Sequence, residues 1–345
     1  MEARPFSRPL WTASLPDRSA VKNDSATLCP RRPRRLRIAL LSRKESLYTT
    51  RRLVQAIRAR GHLPVVIDPL ACSLFIAPGG PEIFLKGRAL VRPDLVIARI
   101  GASITQAGLA LLNHLELMGV PTLNGARGIA QSRDKLRCLQ ILGARGFHVP
   151  ATVLAQPGAA IEPLLAQVGG LPVVVKLLQG TQGVGVMLAR TREELETLLN
   201  TFGDLGHAVL LQAFIGEAEG RDLRVFVAGS KAIGAMQRRA RSGEFRSNLH
   251  RGGEARPVTL TADIADLAVR AAQAVGLQIA GVDLITSSRG PMLIEINSSP
   301  GFEGLEAATH LDIADAIVAH GLSWLSERAS QVPSEPMDSS AAPTS

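Results

Sequence analysis

The chain has 345 residues, of which 46% are hydrophobic and 3% aromatic, and its formal net charge is +9. This length and apolar content favour two or three globular domains, and no apolar run reaches the roughly 18 residues of a membrane-spanning helix. The three cysteines form no Cys-x-x-Cys pair and the seven histidines no His-x-x-x-His pair, which argues against a zinc site or a disulfide framework. With no apolar signal segment near the start, we expect a cytoplasmic protein.

The positive charge is concentrated near the N-terminus. Residues 1–37 hold nine Arg or Lys against three acidic residues, which supplies +6 of the total of +9. Such a run could contact RNA, or it could be a solvated extension rich in Pro and Ser. Because the remaining chain is only weakly basic and has few aromatic side chains for base stacking, we expect no direct nucleic-acid binding. We predict residues 1–35 to be a disordered extension.

Strand-like and helix-like segments alternate in the first folded domain, which we predict at residues 36–127. A strand begins at Leu36, a helix ends at Gly61, and after two further strands a second helix ends at Gly119. Such alternation predicts right-handed crossovers and a parallel sheet. The segments in order are LRIALLSR, TTRRLVQAIRARG, LPVVID, PDLVIARIG and TQAGLALLNHLELMG.

The pattern changes in the next two subdomains, which we predict at residues 128–211 and 212–326, before a disordered tail at 327–345. The helix SRDKLRCLQILGARG is predicted to begin with Ser132 as its N-cap, and Thr191 and Glu194 have capping-box spacing. Later strands follow one another directly, which favours antiparallel pairing. These segments are AVLLQAFI, DLRVFVAG and KAIGAMQRR, then the helix TADIADLAVRAAQAVG, the strands IAGVDLIT and PMLIEIN, and a helix over 312–328.

Three glycines, Gly180, Gly183 and Gly185, lie between two apolar runs in KLLQGTQGVGVML. Glycines let backbone N–H groups approach an anion closely, but dinucleotide and P-loop motifs need a helix directly after the turn. Here an apolar strand-like run follows. The pattern therefore predicts a hairpin flap that folds over phosphates, or an ordinary glycine-rich hairpin.

Lys176 ends the apolar run PVVVK, which has the character of a buried strand. An unpaired ammonium is costly there, and a phosphate just beyond the strand would be a natural partner. The alternative is an edge lysine whose head group reaches solvent.

Asp283 lies in AGVDLI, and Glu295 and Asn297 lie in MLIEIN, with the short turn SSRGP between the two strands. Side chains in a strand alternate, so Glu295 and Asn297 share a face, and antiparallel pairing would add Asp283. Two close carboxylates repel each other unless a cation or proton lies between them, and oxygen-only ligands suit Mg²⁺ or Mn²⁺. The pattern favours a metal–nucleotide site; carboxylates satisfied by local arginines or backbone donors are the alternative.

The loop EFRSNLHRGG is polar and basic in an otherwise apolar region. Its Arg246, Asn248 and Arg251 could neutralise a polyphosphate or a developing phosphoryl charge, with Arg238 and Arg239 adding charge of the same sign. The alternative is a solvated hairpin tip.

Together these motifs resemble the ATP-grasp superfamily, and SRDKLR, VVKLLQGTQGVGV, FRSNLHRGG and EINSSPGFEG resemble the RimK family of α-L-glutamate ligases. The resemblance covers about Leu36 to Leu325. It implies an ATP-grasp architecture of the α/β and α+β classes, with an N-terminal parallel α/β domain followed by two subdomains that sandwich the nucleotide. It also implies an ATP-dependent carboxylate–amine ligase that forms an acyl-phosphate and adds glutamate to the C-terminus of a small-subunit ribosomal protein, or makes polyglutamate.

The resemblance also assigns roles to residues. It implies Lys176, Asn248 and Arg251 as catalytic residues and Asp283, Glu295 and Asn297 as ligands of Mg²⁺ or Mn²⁺, with two ions expected. The family commonly has Glu-Tyr where this chain has Ala213-Phe214, so only main-chain contacts to adenine would be kept there. The implied ATP contacts are Lys135, Lys176, Gly180, Gly183, Gly185, Gln212, Ala213, Phe214, Asp222, Arg246, Ser247 and Asn248.

Two other functions stay open at this point. One is a related ligase that adds an amino acid to a carrier protein or small coenzyme, and the other is a nucleotide-binding regulatory module without catalysis. The intact Lys176, Asp283 and Glu295 favour catalysis. The expected partners are ATP, glutamate and a carboxylate acceptor, which Arg99 of the N-terminal domain is a candidate to contact. We also expect a homo-oligomer and no membrane association.

Overall fold

The computed structural model describes residues 34–178, 185–218, 220–241 and 254–331. Most of the predicted N-terminal extension and of the C-terminal tail lies outside these ranges, as do the central part of the glycine-rich turn and the whole of the basic loop. Within them, no helix has the length and apolar character that a membrane crossing requires.

The N-terminal domain is built on a parallel sheet. Strands β2, β1, β6 and β7 pair in that order, all in parallel, which confirms the sheet type predicted from the alternating segments. Both predicted helix stops are glycines with positive φ, +80° at Gly61 and +71° at Gly119. The strands are β1 Arg37–Leu41, β2 Leu63–Ile67, β3 Cys72–Ala77, β4 Gly80–Leu85, β5 Arg88–Ala89, β6 Leu95–Ala98 and β7 Thr122–Leu123, and the helices are α1 Tyr48–Ala59 and α2 Thr105–Leu117.

Strands β3, β4 and β5 form a separate antiparallel sheet that the sequence patterns did not predict. Most of β3 is exposed, with Ile76 82% exposed, so its apolar residues form no buried face that periodicity could reveal. The buried His114 of α2 holds this sheet in place, since its Nε2 lies 3.2 Å from the carbonyl of Phe75 and 3.0 Å from that of Glu82.

The next subdomain has an antiparallel sheet in the order β10-β9-β11-β8. The predicted N-cap at Ser132 is wrong, because Ser132 lies inside α3 and a separate helix α4 begins after Asp134. The backbone of Asp134 is extended, and its carboxylate accepts a hydrogen bond from the Arg137 N–H at 3.0 Å. The strands are β8 Thr152–Ala155, β9 Val173–Leu177, β10 Val186–Ala189 and β11 Val209–Ala213, and the helices are α3 Ala126–Arg133, α4 Lys135–Ala144, α5 Ile161–Val168 and α6 Arg192–Asp204.

The last subdomain has a five-stranded sheet in the order β14-β13-β12-β15-β16, antiparallel throughout as predicted. In the preceding subdomain, the predicted capping box at Thr191 and Glu194 is confirmed at the start of α6. In this subdomain, the Thr261 side chain caps α7. The strands are β12 Arg221–Ala228, β13 Lys231–Arg239, β14 Glu254–Pro257, β15 Ile279–Ser287 and β16 Gly290–Asn297, and the helices are α7 Ala262–Ala274, α8 Glu303–Thr309 and α9 Ile313–Gln331.

The hydrophobic core is divided unequally among these layers. The parallel sheet and the five-stranded sheet share two continuous clusters, since Leu41 and Val225 belong to one and Leu40 and Phe226 to the other. The four-stranded sheet packs α5 and α6 around a cluster of its own, centred on residues such as Val175. The five-stranded sheet is therefore fixed to the N-terminal domain, whereas the four-stranded sheet has an independent core.

Candidate active site

The three predicted metal ligands come together on one face of the five-stranded sheet. Asp283 of β15 and Glu295 of β16 are direct cross-strand partners, and Asn297 lies opposite Gly281. The Asn297 amide Nδ2 donates to Asp283 Oδ2 at 3.3 Å. Immediately after Asp283 the register shifts, and such an irregularity locally re-aims side chains. The short turn between two apolar strands thus produces the spatial cluster that the sequence predicted.

Asp283 is held by two arginines. Arg224 Nε lies 2.7 Å from Asp283 Oδ1 and Arg224 Nη2 lies 2.5 Å from Oδ2, while Arg238 Nη2 lies 3.0 Å from the same Oδ2. Burial raises the pKa of Asp283, but the charges of Arg224 and Arg238 outweigh it, and the net shift is downward. The alternative of a carboxylate satisfied by local arginines therefore applies to Asp283, which stays ionised.

Arg238 forms a second buried ion pair with Asp222. Its Nε and Nη2 donate to the two oxygens of Asp222, each at 2.6 Å, and the side chains are 4% and 6% exposed. Arg238 is therefore buried in the sheet, where its charge is paired with Asp222 and Asp283. Asp222, the implied ribose contact, has both oxygens bound to this guanidinium, so a ribose hydroxyl could use only the remaining lone pairs.

Glu295 is in the opposite situation. Its carboxylate forms no hydrogen bond or ion pair with the residues that the structure describes. Burial and the neighbouring charge of Asp283 raise the pKa of Glu295, and the more distant cations Arg224, Lys176 and Lys135 only partly oppose them. Two adjacent carboxylates, one of them without a direct partner, form a site that a cation would stabilise.

Lys176 lies on the neighbouring four-stranded sheet in an interior strand, so the alternative of an edge lysine is wrong. Its Nζ donates to Gln212 Oε1 at 2.6 Å, and Gln212 Nε2 donates to Thr152 Oγ1 at 2.8 Å. Burial and the nearby charge of Lys135 lower the pKa of Lys176 to about 8, against the opposing effect of Glu295. In the described part of the chain its direct partner is a neutral amide, which leaves the ammonium charge available to an anion.

Lys135, the second implied phosphate lysine, begins α4. Its Nζ donates to the carbonyl of Leu177 at 3.2 Å, which places it at the end of β9 beside the glycine-rich turn. Burial lowers the pKa of Lys135, and the charges of Glu295 and Asp134 raise it in part. The two predicted lysines therefore converge on the end of one strand, facing the charge of Glu295.

The glycine-rich segment joins two antiparallel strands, with Val186 opposite Lys176. A strand rather than a helix follows the glycines, as predicted. Gly185 has φ of +71°, and a Cβ there would lie 2.7 Å from Leu177 Cδ1, so a side chain would clash with the strand. The other predicted positions of the flap and basic loop lie outside the described residues: Gly180, Gly183, Arg246, Ser247, Asn248 and Arg251.

The predicted adenine contacts lie at the end of β11. Ala213 is the last residue of that strand and its N–H donates to the carbonyl of Ala151 at 2.8 Å, while Phe214 is half-buried just after it. Gln212 is 3% exposed and engaged with Lys176 and Thr152. In this arrangement Gln212 positions the lysine, and its side chain is not open to a nucleobase.

The donor set fits a hard divalent cation. The described residues contain no cluster of three or more His, Cys, Asp or Glu side chains, so the candidate ligands are two carboxylates and the Asn297 amide. Such oxygen ligands suit Mg²⁺, which commonly keeps waters and substrate phosphates as its other ligands. Glu295 supports a bound divalent cation, because its pKa is raised and its carboxylate contacts no donor or cation among the described residues.

The sequence patterns missed the supporting arginine. Arg224 faces Asp283 across β12 and β15, but an arginine in an amphipathic strand carries no pairing information by itself. The spacing Asp222-x-Arg224 places both residues on one face of β12, and this was the available signal. Their partners became evident only from the strand register.

Comparison with known families identifies both parts of the molecule. The model of the RimK PreATP-grasp domain matches residues 36–129, and the model of the RimK-like ATP-grasp domain matches residues 132–320. A protein of Thioalkalivibrio sulfidiphilus named probable alpha-L-glutamate ligase is 51% identical over 82% of this chain and 94% of its own. A protein of Shewanella frigidimarina named probable alpha-L-glutamate ligase 2 is 52% identical over 82% and 95%.

Solved structures agree on the fold. A RimK domain ATP-grasp protein from Sphaerobacter thermophilus aligns with a TM-score of 0.64 at 25% identity, over 83% of this chain and 99% of that one. The ATP-grasp ligase PsnB complexed with a minimal precursor gives 0.67 at 21%, over 84% and 98%. D-alanine–D-alanine ligase from Bacillus anthracis complexed with ATP gives 0.62 at 18%, over 85% and 99%. With the ATP-grasp fold and the family matches in agreement, the chain belongs to the RimK-like ATP-grasp family and is an ATP-dependent carboxylate–amine ligase.

Proposed function

We propose that this protein is an α-L-glutamate ligase that extends a carboxyl terminus, either that of a small-subunit ribosomal protein or that of a growing glutamate chain. The observation that carries the proposal is the opposition of Lys176 and Glu295, an ammonium and a carboxylate with no direct ionic partners among the described residues. A polyphosphate bound to a divalent cation would neutralise both. The curated relatives of about 50% identity support glutamate as the amine substrate.

The reaction has two steps. An oxygen of the acceptor carboxylate attacks the γ-phosphorus of ATP, and the bond to the β,γ-bridging oxygen breaks, which gives an acyl-phosphate and ADP. The deprotonated α-amine of glutamate then attacks the acyl carbon, and inorganic phosphate leaves as the amide forms. Both steps depend on alignment and charge neutralisation more than on a protein nucleophile.

Each described residue has a defined part in these steps. Lys176 and Lys135 would bind phosphate oxygens, and Gln212 fixes the Lys176 ammonium at 2.6 Å. Asp283, Glu295 and Asn297 would hold Mg²⁺ or Mn²⁺, as one or two ions. Such a cation, when bound, neutralises phosphate charge and aligns the γ-phosphoryl group. Arg224 and Arg238 keep Asp283 ionised and fixed in orientation.

The residues outside the described ranges complete the proposed mechanism. Arg251 and Asn248 would counter the charge that develops on the transferred phosphoryl group, and Gly180 and Gly183 would let the hairpin approach the phosphates. Adenine would be bound beside Ala213 and Phe214 and the ribose beside Asp222. We further propose that the enzyme works in the cytoplasm and as a homo-oligomer.

The test is an incorporation assay. The protein would be incubated with ATP, Mg²⁺ and each amino acid in turn, with and without ribosomal proteins, and the products analysed by mass spectrometry. We expect glutamate alone to add its residue mass to an acceptor, in step with ADP formation. ADP formation with a different amino acid, or mass gain on a carrier protein, would replace glutamate ligation by another ligase activity. Absence of both ADP formation and mass gain with every combination would contradict the proposal.

A further inference from the structure

Two buried polar side-chain atoms in the described part of the chain lack a hydrogen-bond partner, Arg99 Nε and Ser299 Oγ. They belong to one place in the fold. Arg99 is the first residue after the carboxyl end of β6. Its Nη2 donates to the carbonyl of Pro300 at 2.8 Å, and Pro300 directly follows Ser299. A buried donor without an acceptor is destabilising, and native proteins seldom keep one without a reason.

A second guanidinium, that of Arg133, lies beside Arg99. Arg133 Nη1 donates to the carbonyl of Gly101 at 3.0 Å and also to Thr105 Oγ1, and its Nη2 donates to the carbonyl of Ile100. Neither arginine forms an ion pair with an acidic residue of the described ranges. Burial and the charge of Arg133 lower the pKa of Arg99 to about 10, so Arg99 remains cationic at neutral pH. Burial also lowers the pKa of Arg133.

The loop that carries Ser299 is fixed rigidly. The buried Asn124 donates to the carbonyls of Ile279 at 2.7 Å and Ser298 at 2.9 Å, and its Oδ1 accepts from the N–H groups of Gln278 and Ile279. Arg99 stacks on the fully buried Phe302, with 5.8 Å from its guanidinium carbon to the ring centroid. The orphaned donors therefore have fixed positions.

The loop that contains Ser299 and Pro300 lies beside the candidate metal ligands. Pro300 packs against Gly281, where an added Cβ would lie 2.8 Å from Pro300 Cβ and 3.7 Å from Arg224 Nε. Gly281 is the cross-strand partner of Asn297. The loop that carries Ser299 and contacts Arg99 thus lies next to Asn297 and Arg224 of the candidate metal site.

We propose that Arg99, Arg133 and Ser299 form the carboxylate-binding subsite of the ligase. The ligand is a substrate carboxylate, held by the Arg99 guanidinium and the Ser299 hydroxyl, and its single negative charge offsets part of the positive charge of the two arginines. It comes from one of two sources, the acceptor or the incoming amino acid. This inference rests on the proposed function for the identity of the substrates, but the positive subsite itself is defined by geometry.

A purely structural role for Arg99 accounts for less of the observations. A tie between the N-terminal domain and the Pro300 carbonyl uses one of the five N–H donors of the guanidinium and needs no charge. It explains neither the buried orphan Nε nor the placement of two like charges side by side. A planar carboxylate matches the guanidinium fork and supplies the missing acceptor and the missing charge.

The test measures binding without turnover. Isothermal titration would follow L-glutamate, and in a second arm N-acetyl-L-glutamate as an acceptor mimic without a free amine, into protein saturated with Mg²⁺ and a non-hydrolysable ATP analogue. We expect Arg99→Met to weaken binding of one of the two by roughly 10- to 100-fold, the effect of losing a charge-assisted hydrogen bond. Ser299→Ala should weaken binding of the same ligand by a smaller factor. The titration that is affected shows whether the bound carboxylate comes from the incoming amino acid or from the acceptor.

Arg92→Met is the matched control, since Arg92 is exposed and its Nη2 also donates to a backbone carbonyl, that of Gly119, at 2.8 Å. It should bind both ligands as the wild type does, and Arg99→Lys should recover part of the loss. Equal binding by wild type and Arg99→Met, or no binding of either ligand to the wild type, would overturn the subsite. Arg99-dependent binding without glutamate incorporation would instead keep the subsite and refute the proposed function.

Discussion

The four-stranded and the five-stranded antiparallel sheets differ in how their buried charges are compensated. In the five-stranded sheet, Asp283 and Asp222 are locked by Arg224 and Arg238 through contacts of 2.5–3.0 Å. In the four-stranded sheet, Lys176 contacts a neutral amide and has its pKa lowered to about 8. The charges of Asp222 and Asp283 are compensated by side chains of the protein, whereas the charge of Lys176 is not compensated by any acidic side chain in contact with it among the described residues.

Glu295 shows the same contrast within one pair of residues. It is the direct cross-strand partner of Asp283, yet the pKa of Asp283 is lowered and that of Glu295 is raised. The difference is that the arginines contact Asp283 and do not contact Glu295. The carboxylates that arginines contact are therefore the scaffold of the site. Glu295 and Lys176, which have no ionic partner in the described part of the chain, are where a cation and a polyphosphate would add most stabilisation.

Replacing Glu295, whose carboxylate forms no ion pair with the described residues, gives the largest expected effect. Glu295→Ala should lower the rate of ADP release by roughly 10³-fold or more, because the proposed cation would lose the ligand that contacts no arginine among the described residues. Circular dichroism and thermal unfolding should show an intact fold. Glu82→Ala, which removes an exposed carboxylate from the small sheet, is the control and should keep wild-type activity. Near-normal turnover by Glu295→Ala would refute the metal-site interpretation.

Breaking the locked cluster should act on stability. Arg238→Met removes the guanidinium that contacts both Asp222 and Asp283, and loss of one partner of a buried pair costs about 3–5 kcal/mol in the free energy of unfolding. Urea denaturation would measure it. Arg256→Met, from an exposed pair with Glu254, should cost less than about 1 kcal/mol. An equal loss of unfolding free energy in Arg238→Met and Arg256→Met would show that the buried arginine cluster is no more of a scaffold than an exposed ion pair.

Removing the ammonium should act on nucleotide binding. Lys176→Met is expected to lower kcat/KM for ATP by roughly 10- to 100-fold, since the phosphate loses a charge-assisted hydrogen bond. The free energy of unfolding should not fall, because the variant removes a buried ammonium that has no ionic partner among the described residues. Lys231→Met, at an exposed position of the five-stranded sheet, serves as the control. A fall in unfolding free energy comparable to that of Arg238→Met would show that Lys176 is a scaffold residue instead.

The smallest expected effect is a dependence on pH. The lowered pKa of Lys176, about 8, means that the ammonium is charged below pH 8 and loses its proton as the pH rises above it. Affinity for Mg²⁺ and an ATP analogue should then fall by up to about tenfold per pH unit above 8, with proton uptake on binding. Lys176→Arg, which stays charged, should flatten this profile. An unchanged slope in that variant would assign the titration to another group.

The sequence predicted the fold where local patterns were strong. Alternating strands and helices gave the parallel sheet, and directly successive strands gave the antiparallel ones. The small sheet β3-β4-β5 was not predicted because most of β3 is exposed and presents no buried apolar face. The helix start was predicted at Ser132 rather than at Asp134 because only Asp134 separates α3 from α4. For the candidate site, spacing brought Asp283, Glu295 and Asn297 together on one face. The assigned roles of these residues stay predictions.

What the sequence determined by itself was the set of groups: a lysine at the end of a buried strand, a glycine-rich hairpin and two acids at a spacing that antiparallel pairing converts into proximity. These follow from chain periodicity, which is local. Only the tertiary structure decided which charges neutralise one another. It paired Arg224 and Arg238 with Asp283 and placed Arg99 against Pro300, 201 residues away. Among the residues that the structure describes, it left Glu295 without a basic partner and Arg99 without an acidic one. Such assignments depend on strand register and domain packing, because ion pairs form between side chains that are distant along the chain.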